Sequence, residues 1–432
     1  MPKIEGSATA SRHRVACNKA KYLNSNDFLV HGARLWRGDS DALDPLSSLL
    51  HVREGRLIAV SSEGTEAAGA TKDLPVLDLE GRFIVPGLID AHVHLELDPA
   101  LKSPKEQLAV AESDRRAGIA ARAKRMLGAG ITTARDCGGG AHWELAHRNA
   151  INAQEAMGPR LLCCGQPLTP RGGHCNFWGG EVETRLEIDR MVALQLEAGA
   201  DWIKVMATGG VFTPGTNARD AQFDLPRLLS IVGAAERGGS FVAAHCHGTE
   251  GIRNAVRAGV RTIEHASFAG PDGFGTELDD SLMQEMASQK LWVSPTVNAG
   301  WGRRIENDKG EPTDFFKRLS SLLRTQKEHG IRFIASTDAG IPGVEHHNLV
   351  GGLLAFERFA DLRPVEVLRS ATSEAAAALG IQDETGRIAP GLSADFLVLD
   401  SNPLENLASL RDPEIVVFRG ECFDREARAE WC

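Results

Sequence analysis

Several things are missing from this chain, and each absence removes a class of protein. No uninterrupted apolar run approaches the roughly 18 residues of a membrane-spanning helix. There is no long block of Lys or Arg, and 48 basic against 58 acidic residues leave a net charge of −10. Nucleic acid therefore finds no basic face. The eight cysteines contain no Cys-x-x-Cys pair, which argues against a structural zinc knuckle, and their scatter fits a reduced, cytoplasmic protein. The one tyrosine, Tyr22, lies near the start, so no later loop can grip a substrate through a tyrosine. The residues after Met1 mix Ser, Ala, Lys and Arg without an apolar stretch. No secretory leader is expected from such a stretch, and residues 1–26 read as a flexible extension.

What is present is ordinary globular composition, 42% hydrophobic and 25% charged over 432 residues. The length accommodates a barrel of about 250 residues and a smaller unit. FLVHGARLW, LLHVREGRLIAV and LPVLDL near the start read as short β segments, and DFLVLD and EIVVFRG near the end share their texture. These distant pieces are expected to form one discontinuous β domain from residues 27–84 and 386–432. Over residues 85–385 the pattern becomes apolar strand, polar loop and amphipathic helix, repeated. The strand candidates are FIVPGLIDAHVH, ITTARD, LLCCG, WIKVMATGG, FVAAHCHG, TIEHA, LWVSPT and FIASTDAG. The expected class is α/β: a (β/α)8 TIM-like barrel with a small β-sandwich domain formed by the N- and C-terminal segments. A doubly wound sheet is the competing arrangement.

The polar residues of these segments gather at their C-terminal ends, where a barrel builds its active site. His92 and His94, two apart, leave the same face of the first strand and can chelate one divalent ion; alone, the pair is a weak signal. Lys204 interrupts the apolar run WIKVM. A lone buried lysine is costly unless paired or neutral, and a neutral amine can add carbon dioxide to become a bridging carbamate, which an arginine cannot. His245 and His247 end the fifth strand; either can be a ligand, with His245 preferred as the deeper and His247 left to touch substrate. His265 ends the sixth. Asp338, ending the eighth, can bind a metal through one oxygen and accept a water proton through the other.

Taken together, PGLIDAHVH, IKVMATGG, AAHCHG, TIEHAS, STDAG and GRIAPGLSADFLVLD resemble the amidohydrolase superfamily. The likeness is to its binuclear branch of prolidase-like, Xaa-Arg/Lys dipeptidase and related amide, carbamate and phenylurea hydrolases. The resemblance implies that His92, His94 and Asp338 hold one metal, that His245 and His265 hold the other, and that carbamylated Lys204 bridges them. The cofactors are then two divalent ions, zinc by expectation. The implied reaction is hydrolysis of a C–N bond in an amide, dipeptide, N-acyl amino acid, carbamate or urea by metal-activated hydroxide.

Substrate contacts are expected from Arg171, His174, Phe177 and Trp178 in the loop after the third strand, from His247, and from His346 after the eighth. His174 is a candidate donor to an oxyanion. Arg135 and Asp136 read as structural, and Trp202 and Trp292 as core. A mononuclear deaminase or ring-opening hydrolase is the alternative, with Glu250 shuttling protons; a non-catalytic scaffold ranks below both. The expected partners are a small-molecule substrate and further copies of the chain, with no nucleic acid or membrane.

Overall fold

The computed structural model describes residues 26–44, 48–62, 74–429 and 431. The expected extension over residues 1–26 lies outside them apart from Asn26, as does Tyr22. No helix among the described residues is long and apolar enough to cross a membrane.

Two stretches far apart in sequence share one sheet. Strand β1 (Asp27–Leu35) pairs antiparallel with β2 (Ser48–Arg53), which pairs with β3 (Arg56–Ser62). On its other side β1 runs parallel to β4 (Val76–Asp78) and β5 (Phe83–Pro86). The late strand β14 (Phe396–Leu399) lies antiparallel to β5 with Leu397 opposite Val85, and β15 (Ile415–Phe418) and β16 (Glu421–Asp424) extend the sheet. Successive side chains of a strand face opposite ways, and β14 uses both faces. Phe396 and Val398 join the core of Val30, Leu35 and Leu50, while Leu397 and Leu399 join that of Val85, Leu88 and Ile131. A buried ion pair crosses the same junction, from Arg160 Nη1 to Asp395 Oδ2 at 2.6 Å.

The segment FIVPGLIDAHVH is divided between the two parts of the molecule. Pro86 ends β5 and Gly87 turns the chain into β6 (Leu88–Val93). A Cβ on Gly87 would lie 2.1 Å from Thr132 Oγ1, so only glycine passes there. Strand β6 runs parallel to β7 (Ile131–Asp136), and β7 to β8 (Arg160–Cys163). A second parallel sheet takes β9 (Trp202–Met206), β10 (Phe241–Gly248), β11 (Thr262–Ala269), β12 (Trp292–Ser294) and β13 (Arg332–Phe333) in order. Every residue of β6, β7 and β9 is buried, because helices on one face and converging side chains on the other leave no wet surface.

Individual backbone bonds link the edges of these two sheets. Leu168 N–H donates to Lys204 O and Met206 N–H to Leu168 O, each at 2.8 Å. On the opposite side Asp338 N–H donates to His92 O at 2.9 Å and His94 N–H to Ala339 O at 2.8 Å. Strand β13 is far shorter than FIASTDAG suggests, because side chains take over its ladder. Ser336 Oγ accepts from Thr296 N–H, and Asp90 accepts from both the N–H and the hydroxyl of Thr337.

Candidate active site

At the C-terminal ends of these strands lies a cavity of about 420 Å³ whose lining includes His92, His94, Lys204, His245, His247, His265 and Asp338. Seven residues spread over the chain are brought to one place, and all but Asp338 are buried. The Nε2 atoms of His92 and His94 are 3.3 Å apart, and Asp338 Oδ1 lies 3.4 Å from the first and 3.5 Å from the second. Lys204 Nζ stands 3.4 Å from His92 Nε2. His265 Nε2 is 2.9 Å from His245 Nδ1, and the His247 ring stacks on His265 with centroids 4.4 Å apart. His265 and Asp338 adopt left-handed backbone, φ 69° and 60°, as does Thr296 between them in sequence at 54°. Such conformations cost of the order of 1–3 kcal/mol each and gather at functional sites.

Each imidazole has one ring nitrogen committed and the other turned inward. His92 Nδ1 meets Glu264 Oε2 at 2.8 Å, His94 Nδ1 donates to Gly138 O at 2.8 Å, and His245 Nε2 donates to Gly209 O at 3.0 Å. His247 Nδ1 and His265 Nδ1 meet the hydroxyls of Ser267 and Thr296, both at 2.9 Å. Partners of this kind fix ring tautomer and orientation in metal centres. His92, His94 and Asp338 form one group whose ligating atoms lie within 4.8 Å of one another, and His245, His247 and His265 form a second.

The electrostatics agree. Burial pushes the pKa of His94 down to about 4 and of His247 and His174 to about 3; it drives His245 and His265 well below the ordinary value. These rings are neutral, with lone pairs to offer. At His92 burial acts downward, yet Cys137 and Asp338 outweigh it and raise the value to about 9. A field that holds a proton there attracts any cation. The donor set and the inward lone pairs therefore fit divalent metal.

His174 and Trp178 line the cavity. The His174 ring lies 4.6 Å from that of His245 and its Nδ1 has no partner. The loop after β9 clears this ring only because residue 210 is glycine: a Cβ there would fall 2.4 Å from His174 Nε2. Trp178 packs 5.2 Å from His94, with Phe177 behind it. Neither Phe177, Arg171 nor His346 is in the lining. Arg171 has a 68% exposed side chain that pairs with Glu187, because its loop turns that position outward. His346 is buried behind the site, donating to His94 O at 3.0 Å. Glu250 is 65% exposed and pairs with Arg253 on its own helix.

One residue of the site escaped the sequence reading. Glu264 is fully buried and pairs with Arg135 Nη2 at 2.7 Å while holding His92. Burial acts to raise its pKa, but Arg135 and His92 prevail and hold it well below the usual carboxylate range. Its signal was a charged residue inside an apolar strand, immediately before a candidate ligand. Asp136 instead accepts backbone bonds from Leu95 and Gly138, and Trp202 lies beneath the Arg135 guanidinium in the core.

Comparison with known proteins supplies context for this geometry. The profile of the amidohydrolase family matches residues 83–421. Ochratoxinase of Aspergillus niger is 28% identical over 428 residues, covering 90% of this chain and 84% of the relative; its crystal structure superposes with a TM-score of 0.78, at 25% identity over 93% of this chain and 96% of the other. A Xaa-Pro dipeptidase crystallised with methionine in its active site gives a TM-score of 0.80, at 25% identity over 92% of this chain and 100% of the other.

Proposed function

Because the chain belongs to the amidohydrolase family, and so is a metal-dependent hydrolase of carbon–nitrogen bonds, we propose that its imidazole cluster is a binuclear centre. His92, His94 and Asp338 would hold one divalent ion and His245 and His265 the other, zinc in both positions, with carbamylated Lys204 between them. The observation that carries this reading is the position of Lys204 Nζ, 3.4 Å from the inward nitrogen of His92 in a buried wall. When bound, the ions supply Lewis acidity that polarises a carbonyl and acidifies water.

The chain's own groups do the rest. Asp338, 15% exposed at its side chain, accepts the proton of the attacking water and passes it to the departing nitrogen. His174, kept neutral by burial, offers a ring N–H to the carbonyl oxygen. His247, stacked between His265 and Phe274, shapes the wall against substrate, and Trp178 supplies a flat apolar surface. The deaminase alternative loses support because Glu250, its proton shuttle, faces solvent.

The family and the structural likeness imply a TIM-barrel-like fold. We read the bonds at Leu168 and Asp338 as closing the two parallel sheets into a (β/α)8 barrel over residues 85–385, with residues 27–84 and 386–432 as the small β-sandwich domain. The free thiols support a cytoplasmic setting, and a homo-oligomer is our reading of its assembly. Chelator-stripped protein should be inactive towards N-acyl amino acids, dipeptides, carbamates and phenylureas, and zinc should restore turnover of at least one. Full activity in a Lys204→Ala variant would contradict the bridging role.

A further inference from the structure

The strands that carry the imidazole cluster also bring together two thiols that the proposed reaction leaves unused. Asp136 and Cys163 are register partners at the ends of β7 and β8, and Cys164 N–H donates to Asp136 O at 3.0 Å. The next residues, Cys137 and Cys164, are therefore neighbours across two parallel strands, whose backbones run about 4.8 Å apart. Disulfides span Cα separations of roughly 4.4–6.8 Å, so the pair is within bonding reach. Strand alternation also turns both side chains to one face. Arg135, two residues before Cys137, reaches inward to Glu264, and Cys164 belongs to the core of Ile89, Ala91, Trp202 and Ala243 beneath the site. Cys163 faces the other way and shares a different core with Ala134 and Leu161. The Cys164 thiol donates to the Cys137 sulfur, and both residues are fully buried.

We propose that Cys137 and Cys164 form a reversible dithiol–disulfide couple whose oxidation loosens the His92 and His94 side of the site. The Cys137 sulfur lies within 4.8 Å of a His92 ring nitrogen and a Glu264 oxygen. Cys137 N–H donates to Val93 O, between the two histidines, at 2.8 Å, and Gly138 O holds His94 Nδ1. The oxidant is a hydroperoxide; hydrogen peroxide is close to water in size and can enter the cavity that His92 lines. The Cys137 sulfur attacks one peroxide oxygen, an S–O bond forms, the O–O bond breaks and water leaves. The Cys164 sulfur then attacks the Cys137 sulfur, the S–O bond breaks and a second water leaves. Two thiols thus give two electrons and two protons to one peroxide. Drawing the sulfurs to about 2.05 Å pulls Cys137 from His92 and shifts the carbonyl that orients His94. Loss of such supporting contacts weakens metal binding by about 10–100-fold.

The test treats the full chain, zinc-loaded and metal-free, with hydrogen peroxide and maps cross-links by mass spectrometry of unreduced peptides. A Cys137–Cys164 disulfide is expected, lighter than the dithiol by two hydrogens. It should form equally in Cys163→Ala, whose lost thiol faces away, and be absent from Cys164→Ala. Competition with a chromophoric chelator should show zinc held at least about tenfold less tightly after oxidation. A phosphine reductant should restore the affinity, and peroxide-treated Cys164→Ala should keep it. A disulfide through Cys163, sulfinic acid in place of a disulfide, or thiols that survive peroxide in both forms of the chain would overturn the couple. A Cys137–Cys164 disulfide that leaves zinc affinity unchanged would overturn its link to the histidines. If neither form binds zinc, the metal-centre reading fails and takes that link with it, while the cross-link map still decides the couple.

Discussion

Replacing Glu264 by glutamine separates the two tasks of a single buried carboxylate. Glu264 and Arg135 are both 0% exposed and meet at 2.7 Å, while the other Glu264 oxygen holds His92 Nδ1 at 2.8 Å. Glutamine keeps the shape but leaves a guanidinium charged and uncompensated in the interior, which costs roughly 3–5 kcal/mol. Unfolding entropy of about 2.1 cal/mol/K per residue gives about 0.9 kcal/mol/K for 432 residues. Metal-free Glu264→Gln should therefore melt about 3–6 °C below the parent protein. Losing the carboxylate behind His92 should also weaken zinc binding by about 10–100-fold, read by competition with a chromophoric chelator. Removing both charges in Arg135→Met/Glu264→Leu should recover most of the melting temperature and none of the zinc affinity. A Glu264→Gln protein that melts and binds zinc like the parent would refute this reasoning, and so would a double variant with parental zinc affinity.

Gly210→Ala should displace the His174 ring, since the new Cβ falls 2.4 Å from Nε2; kcat/KM should drop by about a hundredfold with zinc content unchanged by elemental analysis. His346 tests the sign of a pH effect. Burial pushes its pKa down to about 3 against about 6.5 unfolded, so in that window the unfolded chain takes up a proton that the folded chain refuses. Its contribution is intact above about pH 6.5 and is lost as pH falls towards the folded value, about 2 kcal/mol by pH 5. Urea midpoints of His346→Gln should accordingly fall less between neutral pH and about pH 5 than those of the parent; equal acid sensitivity would remove the assignment. Lys204→Arg should behave like Lys204→Ala in zinc stoichiometry, because a guanidinium cannot form the carbamate.

The candidate ligands were legible because strand periodicity is local. The spacing of His92 and His94 and the lysine within WIKVM each place a side chain by the two-residue alternation of its own strand, whereas Asp338 lies beyond the end of β13 in left-handed backbone and was marked by the STDAG text alone. Relations across the molecule leave no such mark. Nothing in the spacing of Arg135 and Glu264 pairs them, because they meet only once β7 and β11 are brought together. Arg171 and His346 sit in loops near the right strands, but loop backbone decides whether a side chain turns to the cavity, to solvent or behind a ligand. The FIVPGLIDAHVH segment looked continuous because Pro86 and Gly87 mark a turn without saying that the two halves join different sheets. The short β13 has the same origin: Ser336 and Thr337 bond through side chains, which a strand pattern does not distinguish.

The sharpest question is whether two cations share a lysine-derived bridge at the rim of these strands. Crystals of the zinc-loaded protein, with anomalous data collected on both sides of the zinc edge, address it directly. Two peaks are expected, one among His92, His94 and Asp338 and one beside His245 and His265, with density for a carboxylate continuing from Lys204 Nζ between them. A single peak or none, with a bare Lys204 amine, would contradict it.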